Sequence, residues 1–206
     1  MREIKTIGII GEGKMGTNLF YYLLDFGFSI IWVCSEEADI EKIIKSFNKK
    51  LKRSLDTGIM DETSCSKVKV NTIITNDLLQ LHQCDLIIEA VSEDLTIKKR
   101  LFKDLDRIVN KDCIFASNSS SFIPSELLAS EYRKDKLVGL HFFYPVSLSC
   151  SFVSFLILEA ELHLNNLSEF RGPPQTHRED YHTKVEIMVI KVPEIVENWW
   201  KFDEKR

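Results

Sequence analysis

Two places in the chain carry residues whose type and spacing suit chemistry on a nucleotide and an alcohol. The first is Gly11-Glu12-Gly13-Lys14-Met15-Gly16, a GxGxxG that follows an apolar run ending at Ile10. In a strand-turn-helix setting the first glycine permits the tight turn and the second lets a diphosphate approach the backbone. The third lets helix and strand pack closely, while the helix start adds amide donors and the positive end of its dipole. On this reading Gly11, Gly13, Lys14, Met15 and Gly16 form a dinucleotide-binding turn, the alternative being a glycine turn with no ligand. The second place is His141, which ends an apolar run and precedes Phe142-Phe143-Tyr144-Pro145. Imidazoles titrate near neutrality, as the acceptor of an alcohol proton must. A histidine among aromatics can equally be a hydrogen-bonded core residue, but its place downstream of a nucleotide fingerprint favours chemistry.

Other groups gather around these two. Ser117-Asn118-Ser119-Ser120-Ser121 follows a further apolar run, where polar side chains at a strand's carboxyl end would face a ligand crevice. Hydroxyl-rich turns also cap helices, so Ser121 or Ser125 could serve that purpose alone. The acid that usually binds the adenosine ribose stands ~20 residues after the first glycine. That place is taken by Cys34, followed by Ser35, Glu36 and Glu37. A thiol cannot accept two ribose hydroxyls as a carboxylate does. Acidic character over 35–37, with no arginine nearby for a 2′-phosphate, favours NAD over NADP. Lys42, Lys45, Lys49, Lys50, Lys52 and Arg53 form a basic run that could dock a polyanionic handle or be a solvated helix face.

Short apolar runs alternating with helical patterns must position these groups. Strands are expected over 6–10, 29–34, 68–72, 86–90, 113–117 and 138–142. Runs such as Ile7-Gly8-Ile9-Ile10 and Leu86-Ile87-Ile88 are continuous, as strands covered on both faces should be. Helices are expected over 15–26, over 95–108, and from Pro124 through Leu128. Ile40, Ile43, Ile44, Phe47 and Leu51 repeat at helical spacing, and Gly58 marks a stop before a second helix over 61–66. The expected fold is therefore α/β: a Rossmann-type doubly wound, mostly parallel sheet with a helical hairpin at about residues 37–66.

Composition bounds the rest. The 206 residues are 44% hydrophobic and 28% charged, ordinary for a globular chain. Thirty-one acids against 27 bases, a formal charge of −4, argue against a dedicated nucleic-acid binder. There is no apolar run of ~18 residues to span a membrane. The first strand begins too near Met1 to leave room for a cleavable signal. Five cysteines, odd in number and without a CxxC pair, read as reduced thiols in a cytoplasm rather than a disulfide frame or metal site.

Together these pieces resemble the NAD-binding domain of the 3-hydroxyacyl-CoA dehydrogenase family. The matching stretches begin with Ile9-Ile10-Gly11-Glu12-Gly13-Lys14-Met15-Gly16 and Asp85-Leu86-Ile87-Ile88-Glu89-Ala90-Val91-Ser92-Glu93. They continue through Ile97-Lys98-Lys99-Arg100-Leu101-Phe102, Ala116-Ser117-Asn118-Ser119-Ser120 and Gly139-Leu140-His141-Phe142-Phe143-Tyr144-Pro145-Val146. The resemblance implies reversible, NAD-dependent oxidation of the 3-hydroxyl of a 3-hydroxyacyl-CoA, a step of fatty-acid metabolism. It implies His141 as the base, Ser120 between substrate and cofactor, and Glu93 and Lys98 as cofactor contacts. The family's ribose aspartate is Cys34 here, and its asparagine after the catalytic histidine is Tyr144. The position of its histidine-orienting glutamate is Val153, unless an insertion brings Glu159 into that catalytic role. The same insertion nearly aligns Pro193 and Asn198 with a proline and a substrate-contacting asparagine of the family.

The resemblance covers residues 4–146, so residues 1–146 are read as the NAD-binding domain. Residues 147–206 form a poorly matched tail that could complete the sheet edge, with a Gly-Pro-Pro break at 172–174 and one more strand expected over 185–192. The family carries an all-helical domain after this point that closes the acyl-CoA site. Its absence implies a homodimer or a separate helical-domain chain as partner. The alternative function is a truncated or degenerate NAD-binding module with little or no catalysis.

Overall fold

The structure, a computed structural model, describes residues 4–127, 133, 136–142, 146 and, as backbone, 154–156. Leu128, Tyr144, Val153, Glu159, the break at 172–174, the strand expected over 185–192, Pro193 and Asn198 lie outside the described residues.

Continuous apolar runs become inner strands because helices cover both of their faces. Here β1 (Thr6–Ile10), β2 (Ser29–Val33), β3 (Thr72–Thr75), β4 (Leu86–Glu89), β5 (Ile114–Ser117) and β6 (Leu137–His141) run parallel. A short β7 (Ser154–Leu156) pairs antiparallel with β6, and the spatial order is β3-β2-β1-β4-β5-β6-β7. The helices are α1 (Lys14–Leu23), α2 (Ile40–Asp56), α3 (Glu62–Val70), α4 (Leu95–Ile108) and α5 (Pro124–Leu127). From β1 the chain steps outward through β2 and β3, then crosses back to β4. The order therefore reverses between β1 and β4, and the crevice at their carboxyl ends is where such sheets take ligands. This is the expected Rossmann-type, doubly wound architecture.

Alternate side chains feed two cores. Ile7, Ile9, Ile30, Trp32, Leu86 and Ile88 pack with Phe20 and Leu23 of α1 and Phe47 of α2. Ile10, Ile31, Val33, Ile87 and Phe115 pack with Phe102 and Leu105 of α4 on the other face. Phe20 stacks on Trp32 with ring centroids 4.3 Å apart, which fixes α1 over β2. Of the stripe expected on α2, Ile40, Ile43, Phe47 and Leu51 reach this core, while Ile44 stands off it at 37% exposure.

The segment 61–75 departs from expectation. Val68-Lys69-Val70 alternates like a strand, yet it is the last turn of α3. Asp61 caps that helix by accepting from the Ser64 amide at 2.7 Å, and it runs on past the expected end at 66. Val68 faces the core while Val70 is 83% exposed, because residues two apart point to different sides of a helix. The strand begins only at Thr72, where Ile73 and Ile74 pair with Ile31 and Trp32. Gly58 does end α2's turn as expected: its φ of 71° is left-handed, and the Ile59 amide closes back onto the Ser54 carbonyl at 2.9 Å.

The approach to β6 is anchored by Arg133, 3% exposed. Its guanidinium donates to the carbonyls of Cys113 (3.0 Å) and Asn110 (2.9 Å) and pairs with Asp106. These groups lie at the end of α4 and the start of β5, so one side chain fixes the strand that carries His141 to its neighbours.

Candidate functional site

The glycine turn has the geometry of a phosphate cradle. Gly11 has φ 111°, and a Cβ on it would sit 2.5 Å from the Ala90 carbonyl oxygen. A Cβ on Gly16 would lie 2.1 Å from the Gly11 carbonyl oxygen, so the turn closes on itself only with hydrogen at that position. Gly13 is different: a Cβ there would meet nothing within 4 Å, leaving space above the turn. Capping sharpens the contrast. Asp39, Asp61 and Asp94 each accept amide hydrogens at the starts of α2, α3 and α4. Helix α1 follows Gly13 in the cap position, with no side-chain cap and no acid in its first turn. A carboxylate there would compete with an anionic ligand for the same amides. Trp32 holds the turn from below, its indole Nε1 donating to the Gly11 carbonyl at 2.9 Å.

At the ends of β4 and β5 lies a network that sequence patterning revealed only in part. Strand register places Glu89 beside Ser117 and Ser117 beside Gly139. Glu89 is 0% exposed and Lys98, one turn into α4, is 1% exposed. The Lys98 ammonium lies 2.5 Å from Glu89 Oε1 and 3.1 Å from Glu93 Oε2. Glu89 also accepts from the Ser117 hydroxyl (2.6 Å) and the Val91 amide (2.9 Å). Glu93 accepts from the Ser119 hydroxyl and from the Ser120 (3.2 Å) and Ser121 (3.0 Å) amides. Partial burial pushes the Glu93 carboxyl up, but Ser119, Lys98 and Ser121 outweigh it and leave it below the usual carboxylate range. Lys98, expected at a cofactor, is thus buried between two carboxylates. Glu93 is the member that reaches the surface, at 39% exposure of its side chain. The signal for Glu89 was an acid ending an otherwise apolar strand.

Ser117–Ser121 is organised by these bonds rather than by helix capping at Ser121 or Ser125. The Ser119 hydroxyl accepts the amides of Ser121 (3.2 Å) and Phe122 (2.9 Å), folding the turn. Ser120 is exposed, its amide tied to Glu93, and it makes no hydrogen bond through its hydroxyl among the described residues.

His141 lies at the carboxyl end of β6, half-buried, with Nδ1 3.2 Å from the Asn118 carbonyl oxygen. A carbonyl only accepts, so this bond puts a hydrogen on Nδ1, and in the neutral ring the lone pair is then on Nε2. Asn118 also accepts the Phe142 amide through Oδ1 at 2.8 Å, and its own amide donates to the Glu89 carbonyl at 2.9 Å. One residue therefore ties the histidine to the buried network. Beyond it, the Val146 amide donates to Asn18 Oδ1 of α1 at 2.7 Å. Val146 thus lies against the helix that opens at the glycine turn.

The ribose end differs from the sequence expectation. Cys34 is 4% exposed and belongs to the core beneath α1 and α2. Burial and the nearby Glu12 charge push its thiol up to about 12. Glu12, from the glycine turn, brings a carboxylate to this edge. Its Oε2 accepts the Ser35 amide at 2.9 Å and its Oε1 accepts the Ser35 hydroxyl at 2.7 Å. The basic residues of α2 are exposed, and Lys50 stands over the Tyr21 ring at 3.4 Å. Partial burial lowers the Lys50 ammonium below the usual lysine range.

Residues 6–150 match the family model described as 3-hydroxyacyl-CoA dehydrogenase, NAD binding domain. The chain is 32% identical over 140 residues to 3-hydroxybutyryl-CoA dehydrogenase of Clostridioides difficile, covering 68% of this chain and 50% of that protein. It is 33% identical over 144 residues to the probable 3-hydroxybutyryl-CoA dehydrogenase of Bacillus subtilis, covering 70% and 50%. The crystal structure of (S)-3-hydroxybutyryl-CoA dehydrogenase from Ralstonia eutropha superposes with a TM-score of 0.61 at 29% identity, over 70% of this chain and 51% of that one. The chain spans about half the length of the curated relatives it matches.

Proposed function

The chain belongs to the family of the 3-hydroxyacyl-CoA dehydrogenase NAD-binding domain, and from that premise we propose that it takes part in NAD-dependent oxidation of a 3-hydroxyacyl-CoA to the 3-keto form. The observation that carries this reading is the place of His141 at the carboxyl end of β6, its Nδ1 3.2 Å from the Asn118 carbonyl oxygen. With Nδ1–H donating to the Asn118 carbonyl, the neutral imidazole has its acceptor lone pair on Nε2. That is the group needed to take the proton of a 3-hydroxyl. NAD, when bound, supplies the hydride acceptor. The residues present fit it: Gly13 leaves room for a diphosphate, and α1 opens with no competing cap.

The remaining site residues have roles that follow from their placement. Gly11, Gly13, Lys14, Met15 and Gly16 form the cradle for the diphosphate. Ser120 offers its hydroxyl beside Glu93, and Glu93, held by the Lys98 ammonium and the serine turn, fixes the wall of the crevice between β4 and β5. In an enzyme of this kind an acceptor on the second histidine nitrogen holds the tautomer, and its loss can cost ~10⁴ in rate. Here the Asn118 backbone carbonyl is an acceptor at Nδ1, while Glu159, the carboxylate that an insertion would bring to this role, lies outside the described residues. Free thiols at Cys34, Cys65, Cys84 and Cys113 suit a reducing compartment such as the cytoplasm. Among the described residues no helix is long and apolar enough to cross a membrane.

Reduction of acetoacetyl-CoA with NADH, followed at 340 nm against a buffer control, tests the proposal. Turnover that disappears in His141→Ala, while NADH still raises the thermal midpoint of the variant, supports it. NADH binding without turnover reduces the function to nucleotide binding. An active His141→Ala variant overturns the role of the imidazole.

A further inference from the structure

We infer that Glu12, the second residue of the glycine turn, supplies the carboxylate that receives the adenosine ribose of NAD and thereby selects NAD over NADP. The inference rests on NAD binding at the turn. In a doubly wound sheet of this order the ribose meets the carboxyl end of β2, where an acid accepts its hydroxyls. The residue there is Cys34, buried, with a thiol pushed up to about 12 and so holding its proton. It offers the ribose no anion. Glu12 brings one to the same place from the neighbouring strand's turn. Its two oxygens bracket Ser35, the residue after Cys34, at 2.9 Å and 2.7 Å, and its charge is close enough to raise the Cys34 thiol.

Two features suit Glu12 to the ribose rather than to fastening the loop alone. Each carboxylate oxygen carries two acceptor directions, so a bond from Ser35 to each leaves one on each oxygen, matching the two adjacent hydroxyls of a ribose. The group also stays ionised. Partial burial pushes its carboxyl up, but the Ser35 hydroxyl and amide outweigh that and set it below the usual carboxylate range. An ionised, half-buried carboxylate accepts hydroxyl hydrogens strongly and repels a 2′-phosphate. Ser35 holds the carboxylate in place before any ligand arrives, which lowers the ordering cost of binding.

The test is equilibrium binding of three ligands, by NADH fluorescence and by competition, to the full chain and to Glu12→Gln and Glu12→Ala. The ligands are NADH, NADPH and NADH lacking the 2′-hydroxyl on its adenosine ribose. In the unmodified chain NADH is expected to bind about tenfold or more tighter than either of the others, as for a hydrogen bond to a charged group. Glu12→Gln is expected to weaken NADH about tenfold, to weaken the 2′-deoxy analogue less because only its 3′-hydroxyl bond is left to lose, and to shrink the discrimination against NADPH. If Glu12→Gln keeps both the NADH affinity and the NADPH discrimination, Glu12 is a fastener for the β2–α2 loop and the inference fails. If the unmodified chain binds NADPH or the 2′-deoxy analogue as tightly as NADH, it fails without any variant. Binding of none of the three would instead overturn the NAD reading on which it rests.

Discussion

Replacing Lys98 by methionine should expose how the crevice wall is held together. The exchange keeps the length and bulk of the side chain, so little cavity is created, and removes only the ammonium. That ammonium, 1% exposed, lies 2.5 Å from Glu89 and 3.1 Å from Glu93. Removing one partner of a buried pair typically costs about 3–5 kcal/mol, because the other charge is left in a poor solvent. Glu89 would retain the Ser117 hydroxyl at 2.6 Å and the Val91 amide at 2.9 Å, and Glu93 is partly solvated. The lower end of the range is therefore expected, about 3 kcal/mol. For a chain of this size that is a fall in Tm of roughly 6–12 °C. Urea unfolding followed by far-UV circular dichroism, run on Lys98→Met, Glu89→Gln and the double variant, gives the coupling directly. The double variant should recover most of the loss, since it buries no charge. A Lys98→Met protein within about 0.5 kcal/mol of the parent would refute the claim that this pair is desolvated and interdependent.

Further expectations follow from the same geometry. Gly13→Ala should leave Tm within about 2 °C of the parent yet weaken NADH, since the new methyl meets no protein atom but fills the cradle. Gly16→Ala should destabilise the fold outright, because its Cβ would fall 2.1 Å from a backbone oxygen, and melting curves separate the two cases. Asn118→Ala removes the acceptor of the Phe142 amide and should cost about 1–3 kcal/mol while leaving the backbone carbonyl on His141; acetoacetyl-CoA turnover with a normal KM for NADH and a reduced kcat is the expected split. Cys34 and Cys84, each pushed up to about 12, should resist alkylation in the folded chain while Cys65 reacts. Their raised values have a definite sign. The folded thiols keep protons that the unfolded chain releases from about pH 8.5, so stability is whole below that pH and falls as pH rises toward 12. Chemical unfolding at pH 7.5, 9 and 10 checks this, and a midpoint that does not fall across the series would contradict it.

Much of the frame was legible from residue order because it depends on local quantities. The glycine spacing after Ile10, the four-residue cadence of Leu95–Ile108 and the left-handed stop at Gly58 each involve neighbours along the chain, and each reads correctly. The error at 68–72 is of the same local kind. Alternation over three residues suits a strand or the end of a helix, and the Asp61 cap, with the pairing of Ile73 and Ile74 to β2, decided for the helix. Ser117–Ser121 was legible as a polar cluster, but whether its hydroxyls cap a helix or bond to Glu93 depends on a residue from the loop between β4 and α4.

The elements and the cradle were thus written in short-range pattern: apolar runs buried on both faces, caps one turn from their targets, and glycines where a Cβ has no room. The partnerships at the site were not, because each joins residues on different elements of the fold. Lys98 meets Glu89 and Glu93 only because α4 lies down across the end of β4. Asn118 meets His141 only because β5 and β6 pair in the register that sets Ser117 beside Gly139. Glu12 reaches Ser35 only because β1 and β2 end side by side. The docking of α4 sets the first of these contacts and strand register the other two, and register is fixed when the two faces of the sheet are buried at once, a property of the folded whole rather than of any segment.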